Sequence, residues 1–306
     1  MTPLLKVERI LFATDFLESS RLALDYAVAF AEHFGATIIM FHVIELSQAA
    51  REVEVETSGP SLTRKVAQER LNALATGVRR LGLQVEAHIE DGIPCKTILS
   101  AVERYKADLL VLGVHGVHRG LEHLLVGSNT EKILLSANCP TLTVGAHVLA
   151  GVDLELHLNK IIYFSDFTPE ATAAAPYALF LGKEFDAPVE ICQLLPVVAE
   201  NNERLRMELA NGYCDSLKSV LTESDSDWCR PAFQLERGME IDQIIEHSQS
   251  GHAGLIVLGV RTESQLGRHL HTSFAYHLLA KATCPVLSIR HRTQTLEQIA
   301  YGAPDT

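Results

Sequence analysis

The sequence lacks the features that mark nucleic-acid-binding, secreted and membrane proteins. Basic side chains are scarce, since 26 of them stand against 38 acidic ones and give a formal net charge of −12. Phosphate backbones and anionic membrane surfaces attract clustered basic residues, so we expect neither as a partner. No apolar run approaches the roughly 18 residues of a membrane span, and Met1–Arg9 lacks the basic-then-apolar order of a secretory signal. We therefore expect a cytoplasmic location.

Cysteine is also sparse, and its spacing excludes cysteine-built frameworks. The chain contains no C-x-x-C pair, so it indicates neither a zinc ribbon nor a disulfide scaffold. We expect buried, reduced thiols at the six positions, which are Cys95, Cys139, Cys192, Cys214, Cys229 and Cys284.

Catalytic signatures are absent as well. The sequence contains no G-x-S-x-G, no H-E-x-x-H and no P-loop pattern, and so no P-loop lysine to steady a transferring phosphoryl group. We expect no catalytic residues and at most a weak ATPase activity. Two groups of histidines are irregularly spaced with no carboxylate or thiolate fixed beside them, so we expect no metal site there: they are His115, His118, His123, His269, His271 and His277.

What the chain does contain is a regular alternation of short apolar runs and amphipathic segments. This order predicts a parallel sheet with helices on both faces. The predicted strands of the first half are Val7–Ala13, Ala36–Ile44, Gln84–Glu90, Asp108–Leu112 and Cys139–Val144. The predicted helices are Arg21–Phe34, Leu62–Leu81, Pro94–Lys106 and Asn129–Asn138, and the polar segment Glu45–Pro60 is predicted to be a loop.

Two of these helices carry apolar stripes that predict their buried faces. In the first, Ser19 or Ser20 is a candidate cap and Gly35 suits the position that ends the helix. Its stripe recurs every four residues, at Leu22, Tyr26, Phe30 and Phe34. The stripe predicted for the second helix is Leu62, Val66, Arg70, Leu74, Val78 and Leu81, with the aliphatic stem of Arg70 lying along it.

The same order of elements then begins again. A shift of 151 residues aligns Val7–Ile44 with 158–195 without a gap, and a shift of 146 aligns Leu109–Gly113 with Leu255–Gly259. A shift of 145 places Cys139-Pro140 on Cys284-Pro285. An internal repeat of this length predicts a duplicated domain. We expect one domain at residues 1–146 and a second at 157–306, each with its own doubly wound five-stranded parallel sheet.

A glycine motif follows the fourth predicted strand. Gly113 and Gly116 lie three apart, and Gly127-Ser128 opens the next predicted helix. Glycine lets the backbone approach a ligand closely, and the free N–H groups of a helix start favour an anion such as phosphate. The spacing alone is weak evidence, since glycines at strand ends are more often plain turns.

With this motif and the duplication, the chain resembles the universal stress protein family in a tandem two-domain form. The family pattern is G-x-x-G, nine residues, then G-[ST], and Thr14-Asp15-Phe16 is similar to its aspartate turn after the first strand. Here the interval Val117–Val126 has ten residues, and we assign the extra one to Val117–Gly120. The resemblance implies a stress-response protein that binds ATP or a related adenine nucleotide, with Mg²⁺ as a companion of the phosphates.

The resemblance also implies a set of contact residues in the first half. Asp15 would accept a hydrogen bond from adenine or ribose, or it only caps the loop before the first helix; the resemblance favours the ligand contact. The backbone of Val43 would meet the adenine edge, although a core valine is the alternative. Ser128 is a phosphate donor or a simple N-cap, and His115 a phosphate donor or an exposed loop residue. The full set is Ala13, Thr14, Asp15, Val43, Gly113, His115, Gly116, Gly127, Ser128, Asn129 and Thr130.

The second half departs from the motif. Gly259 is kept, but Thr262 and Thr272 stand where the second and third glycines belong. These side chains stand where the backbone should touch phosphate, and β-branched residues suit positive φ poorly, so we expect this half to bind nucleotide weakly or not at all. Arg261 and Arg268 would meet an anion there, or they are solvated loop charges. A scaffold of the same fold without a nucleotide is the alternative function.

The resemblance finally implies how the halves assemble. Family members pair through their last strands, so Thr141–Val144 and Val286–Ile289 are expected to meet within one chain as an internal pseudo-dimer. A homodimer of such chains is the further possibility that the sequence leaves open.

Overall fold

The computed structural model describes most of both halves. The described residues are 6–45, 62–114, 116–117, 125–148, 158–165, 168–194, 204–205, 207–208, 211–212, 233–235, 241–250, 252–260 and 278–290. Several predictions made above lie outside them. These concern the loop after Glu45, His115 and the other histidines of the two groups, the extra loop residue, Cys214, Cys229, and the degenerate motif around Thr262 and Thr272.

The described elements alternate as the sequence predicts. In the first half the strands are β1 (Arg9–Ala13), β2 (Thr37–Glu45), β3 (Val85–Gly92), β4 (Leu109–Val114), β5 (Gly116–Val117), β6 (Leu125–Val126) and β7 (Thr141–Gly145), and the helices are α1 (Glu18–Phe34), α2 (Leu62–Arg79), α3 (Pro94–Arg104) and α4 (Ser128–Ser136). The second half has β8 (Ile161–Ser165), α5 (Pro169–Glu184), β9 (Val189–Leu194), β10 (Phe233–Leu235), α6 (Ile241–Ser250), β11 (Leu255–Val260) and β12 (Val286–Arg290).

Within the described residues, ten of these strands form one sheet. Its order is β10-β9-β8-β11-β12-β7-β4-β1-β2-β3. In this ten-stranded sheet, all pairs within each half are parallel. Each half is therefore a five-stranded, doubly wound α/β unit, which confirms the predicted fold class.

The duplication is visible in the registers. Ile10 pairs with Ile38 and Leu109, and their counterparts Ile161, Val189 and Leu255 pair in the same way. The bounds of β11 lie 146 residues after those of β4, and the bounds of β12 lie 145 after those of β7. The two halves are therefore the same arrangement of strands, displaced only by differences in loop length.

The two halves meet through their last strands, as the family resemblance implied. Strand β12 pairs antiparallel with β7, with Leu287 opposite Leu142, Ser288 opposite Thr141 and Val286 opposite Thr143. Because Leu287 is the counterpart of Leu142, a pseudo-two-fold axis passes through that pair. The Thr143 hydroxyl donates to the Val286 carbonyl oxygen across the junction at 3.1 Å.

Helices cover both faces of the sheet, and on one face a single apolar cluster extends across both halves. Residues of α1, α2 and α5 share a single buried cluster with alternate residues of both sets of strands, whereas α3 and α4 in the first half and α6 in the second cover the opposite face. Across the axis Phe34 faces its counterpart Phe185, with ring centroids 5.9 Å apart. His33 stacks on Phe185 at 4.2 Å and pairs with Glu184 at 3.6 Å.

The second pair of cross-axis contacts involves thiols. Tyr26 of the first half lies near Cys284 of the second, and Tyr177 lies near Cys139 in the symmetric position. Burial raises the pKa of both thiols to about 12, so both stay protonated at neutral pH. Cys95, Cys139, Cys192 and Cys284 are all unbridged, as the sequence predicted for the cysteines.

The sequence predicts the end of α1 correctly but not its start. Gly35 ends α1 in the left-handed conformation at φ 67°, as predicted, but the expected serine caps are wrong. Leu17 occupies the cap position, and Ser19 and Ser20 are buried inside the first turn. The Ser20 hydroxyl donates to the Leu17 carbonyl and lies 3.1 Å from the Thr14 hydroxyl, so it belongs to the turn before the helix.

The stripe predicted for α2 is also wrong in part. The buried residues are Ala67, Leu71, Ala75 and Val78. Leu62 and Leu81, which the spacing placed on the buried face, are 78% and 48% exposed. The helix packs closely through alanines, so its contact face is rotated from the line of its largest side chains.

In the part of the chain that the structure describes, no helix is long and apolar enough to cross a membrane.

The junction of the two halves generates a stability prediction. Leu142 is fully buried beside the pseudo-two-fold axis, so Leu142→Ala should lower the free energy of unfolding by about 2–5 kcal/mol. The matched control is Leu81→Ala, which removes the same atoms from an exposed site and should change stability by less than about 0.5 kcal/mol. Urea denaturation followed by circular dichroism measures both. Equal effects of the two substitutions would show that the junction is not a packed core.

Candidate functional site

The candidate site lies where the winding of the first-half sheet reverses. Strand β1 is central, with β2 on one side and β4 on the other. In a doubly wound sheet, the crevice outside the carboxyl ends of such strands is the usual ligand site. Ala13 pairs with Leu112 at the end of the ladder, so Thr14 and Gly113 follow side by side at this edge.

The turn after β1 is fixed by a dense set of hydrogen bonds around Thr14. The Thr14 amide donates to the Phe41 carbonyl at 2.9 Å, which continues the sheet by one residue. The buried Thr14 hydroxyl accepts from the Phe16 amide at 3.0 Å and lies 3.1 Å from the Ser20 hydroxyl, which donates to the Leu17 carbonyl. The turn is therefore tied both to the sheet and to the first turn of α1.

Phe16 and His42 support the same turn from the other side. Phe16 adopts a left-handed conformation with φ 65°, which is uncommon for a bulky residue and needs surrounding contacts to hold it. The His42 ring lies 4.4 Å from the Phe16 ring, and its Nδ1 is 2.7 Å from the Thr14 carbonyl oxygen. The guanidinium carbon of Arg70 lies over the Phe16 ring, 6.0 Å from its centroid. No sequence spacing signals this group, because its members come from three separate elements.

The turn presents Asp15 at the carboxyl edge of the sheet. Its side chain is exposed, and its Oδ1 accepts a hydrogen bond from the Leu17 amide at 2.9 Å. The loop-capping role considered above is thus present in the structure. It does not exclude a ligand contact, since a carboxylate can accept several hydrogen bonds.

Val43 extends past the end of β1. The β1–β2 ladder ends at Ala13 opposite Phe41, and the Phe41 carbonyl faces β1. Alternate residues of a strand direct their backbone groups toward the same neighbour. The backbone of Val43 therefore faces past the end of β1, while its half-buried side chain packs on the cluster beneath α3. The core role of the side chain is confirmed, and it does not exclude a backbone contact with a ligand.

Gly113 has a structural reason to be glycine. The strand β4 runs to Val114, two residues further than predicted, so Gly113 lies in a strand instead of a loop. A Cβ at this position would lie 2.3 Å from the Ser20 amide nitrogen and 2.4 Å from the Ser19 carbonyl carbon. The close approach of α1 to β4 thus requires glycine here whether or not a ligand binds.

The other two glycines are brought together by a small ladder. Strands β5 and β6 pair antiparallel, with Gly116 opposite Val126, the residue before Gly127. The ten-residue interval thus returns to its starting point, and both ends of the motif lie side by side next to the start of α4.

The first turn of α4 lies at this edge with its backbone N–H groups uncapped by any side chain. Gly127 is the N-cap residue and no side chain caps the helix. A Cβ built on Gly127 would meet no atom of the described residues within 4 Å, so packing there does not require glycine. Ser128 is the first helical residue and is exposed, whereas Asn129 and Thr130 are partly exposed, so the N-cap interpretation of Ser128 is wrong. The acidic residue of this turn, Glu131, would not attract an anion. An anion here would therefore be met by backbone N–H groups.

The conformation of Gly127 bears on the expected weakness of the second half. Gly127 has φ −59° and ψ 142°, a conformation open to any residue. Positive φ is therefore not the reason why Thr272 would be unsuitable at the corresponding position. The remaining reason is space, because a threonine side chain would occupy the region above the helix start that Gly127 leaves open.

Comparison with known proteins identifies relatives of both halves. The model of the Universal stress protein family matches residues 6–145 and 157–290. A universal stress protein of Methanocaldococcus jannaschii, MJ0531, is 29% identical over 142 residues, which are 45% of this chain and 81% of that protein. The crystal structure of a universal stress protein from Archaeoglobus fulgidus covers 94% of this chain and 97% of its own at a TM-score of 0.70 and 19% identity, which shows a shared fold.

One family member has been crystallised with a nucleotide. A universal stress protein in complex with cAMP is 21% identical and covers 45% of this chain and 97% of its own, with a TM-score of 0.37.

Two of the three motif glycines, Gly113 and Gly127, generate contrasting stability predictions. Gly113→Ala should lower the free energy of unfolding by about 3 kcal/mol, because its methyl group overlaps the backbone of α1. Gly127→Ala should lower it by no more than about 1 kcal/mol, because the methyl group meets no described atom and the only cost is a poorer N-cap residue. Urea denaturation of the two variants tests this, and a larger loss in Gly127→Ala than in Gly113→Ala would contradict the packing described here.

Proposed function

The chain belongs to the universal stress protein family, and on that premise we propose that its first half binds ATP or a related adenine nucleotide. In this role it acts as a nucleotide-dependent regulatory module. We assign the nucleotide-binding domain to residues 1–146 and a second domain without that role to 157–306. The observation that carries the proposal is the uncapped, open helix start at Gly127, beside Gly116 and at the same sheet edge as Asp15.

The phosphates would lie above the first turn of α4. Backbone N–H groups at a helix start point outward without intrahelical partners, and the helix dipole favours negative charge there. Gly127 adds no side chain, and Ser128 and Thr130 add hydroxyl donors. Mg²⁺ would accompany the phosphates of ATP. His115, in the loop between the two glycines, belongs to the proposed contact set.

The adenosine would lie nearer β1 and β2. Asp15 would accept a hydrogen bond from the adenine amino group or a ribose hydroxyl, next to Ala13 and Thr14. The backbone of Val43, which faces past the end of β1, would meet the adenine edge. The bonds that hold Thr14 and Phe16 support this proposal, since they fix the turn before any ligand arrives and reduce the entropy cost of binding.

The second half would bind nucleotide weakly or not at all. Side chains stand at Thr262 and Thr272 where the first half has glycine. Nucleotide in one half would then act on the whole chain through the shared sheet. A scaffold that never binds nucleotide is the competing function, and the packing role of Gly113 favours it to the extent that this glycine needs no ligand to explain it.

Isothermal titration with ATP tests the phosphate site. Gly127→Val should weaken binding by at least about 10-fold, or about 1.4 kcal/mol, because its side chain enters the space above the helix start. The control is Gly77→Val on α2, where a Cβ also meets nothing within 4 Å, and its affinity should equal that of the parent. Equal affinities in all three proteins would remove the assignment. No binding to the parent, with no adenine nucleotide found by mass spectrometry after gentle purification, would favour the scaffold.

Asp15→Asn separates ligand contact from loop capping. Asparagine keeps an oxygen that can accept from the Leu17 amide, so stability should stay within about 0.5 kcal/mol of the parent. The substitution removes the charge and replaces an acceptor by a donor, so ATP affinity should fall by about 10-fold with the loss of a charge-assisted hydrogen bond. Unchanged affinity alongside unchanged stability would leave Asp15 as a loop cap only.

A further inference from the structure

Three chemically different metal-ligating groups converge in the second half, away from the proposed nucleotide site. Glu190 and Cys192 lie on one face of β9, and His247 lies on α6, which covers that face. A carboxylate oxygen, the thiol sulfur and an imidazole nitrogen all lie within 4.8 Å of one another. The cluster is largely protected from solvent, since the Glu190 side chain is 13% exposed and Cys192 is fully buried.

One oxygen of Glu190 is the centre of the cluster. The His247 Nε2 lies 2.7 Å from Glu190 Oε1, and the Cys192 Sγ lies 3.9 Å from the same oxygen. Lys160 donates to the other oxygen, Oε2, at 2.8 Å. Lys160 therefore orients the carboxylate so that Oε1 faces the imidazole and the thiol. Carboxylates that ligate metals are commonly fixed by such an outer partner.

The first half provides an internal comparison. By the 151-residue repeat, which the strand registers support, Glu190 and Cys192 correspond to Ile39 and Phe41, both fully buried. By the 146-residue repeat, His247 corresponds to Ala101, which packs in the same apolar cluster as Phe41. The same places under the corresponding helix are thus apolar in one copy and carry three ligating groups in the other.

An ordinary ion pair does not account for this arrangement. The pair formed by Lys160 and Glu190 satisfies the charge of the carboxylate without any help from α6. It gives no reason for an imidazole and a thiol to converge on the remaining oxygen. Ion pairs in such surroundings are in addition commonly no more stabilising than apolar residues of similar volume.

We propose that Glu190, Cys192 and His247 form a binding site for a divalent transition metal ion, with Zn²⁺ as the fitting ion. Zinc takes nitrogen, sulfur and oxygen ligands in tetrahedral geometry, and its bonds of about 2.0–2.3 Å require ligand atoms grouped as closely as these. Three protein ligands leave a fourth position for water. A shift of His247 away from Oε1 admits the ion between the three atoms.

The protonation states follow from the surroundings. Although burial raises the pKa of the Glu190 carboxyl, hydrogen bonds from Lys160 and His247 outweigh it and hold the pKa below its usual value, so the carboxylate is ionised. Burial and the Glu190 charge raise the pKa of Cys192. The thiol is therefore protonated in the free protein, and metal binding releases its proton to solvent as the sulfur–metal bond forms.

Titration of the full chain with Co²⁺, as a spectroscopic probe for Zn²⁺, tests the site. We expect one Co²⁺ per chain, a thiolate-to-metal charge-transfer band in the near ultraviolet, and loss of that band when Zn²⁺ is added. Cys192→Ala should abolish the band, and His247→Gln should weaken Co²⁺ binding by about 100-fold or more, beyond the effect of losing an outer partner. Cys95→Ala is the matched control, since it removes a buried thiol from α3, and it should keep the band.

Each result decides the proposal. Absence of a charge-transfer band in the parent protein at saturating Co²⁺ would overturn it, as would a band that survives in Cys192→Ala, because the thiolate would then come from another cysteine. Circular dichroism shows whether Cys192→Ala is folded. If it is not, Cys192→Ser, which keeps the size of the side chain, and His247→Gln on the partly exposed helix decide the question by the same readout.

Discussion

The antiparallel pairing of β7 with β12 is the constraint on which the rest of the structure depends. It joins two five-stranded sheets into one and leaves neither last strand as an open edge. Because Leu142 pairs with its own counterpart Leu287, the axis brings α1 and α5 onto the same face, where Phe34 meets Phe185. The antiparallel junction also sends the carboxyl ends of the two sets of strands to opposite edges of the sheet. A ligand beside Asp15 therefore cannot be shared by the corresponding crevice of the second half.

Much of this arrangement could be predicted from the sequence, because it depends on local patterns and on an internal repeat. Strands buried on both faces appear as continuous apolar runs, and the offsets of 146 and 145 residues locate β11 and β12 from β4 and β7. The last-strand junction came from family resemblance, since no local pattern specifies it. The buried face of α2 was misjudged because alanines give close packing without a strong apolar signal, and Leu62 and Leu81 gave that signal from exposed positions.

The candidate site was predictable in its outline but not in its physical detail. The positions of Gly116, Gly127 and Asp15 follow from spacing and topology. The need for glycine at position 113 comes from α1, which approaches β4 from 93 residues earlier in the chain, and no spacing reveals such an approach. The same holds for Phe16, whose positive φ is stabilised by His42 and Arg70 from other elements. The cluster at Glu190 could not be predicted from the sequence for the same reason, since its three ligating groups and Lys160 are spread over 88 positions.

The duplication separates two demands that a single domain would have to meet together. Each half needs its sheet, its helices and the cross-axis packing. In these the two copies agree, since β1 and β8 have the same pairing register and Phe34 meets its counterpart Phe185. The copies differ outside the cluster that they share across the axis. The differences lie at the helix start beside Gly127 and in the layer beneath α3 and α6. In that layer a buried thiol and a partly buried carboxylate and imidazole stand where the first half has three apolar side chains, and the exchange gives up apolar burial of about 25 cal/mol per Å². Stability gives no reason for the exchange, whereas coordination of a metal ion supplies one.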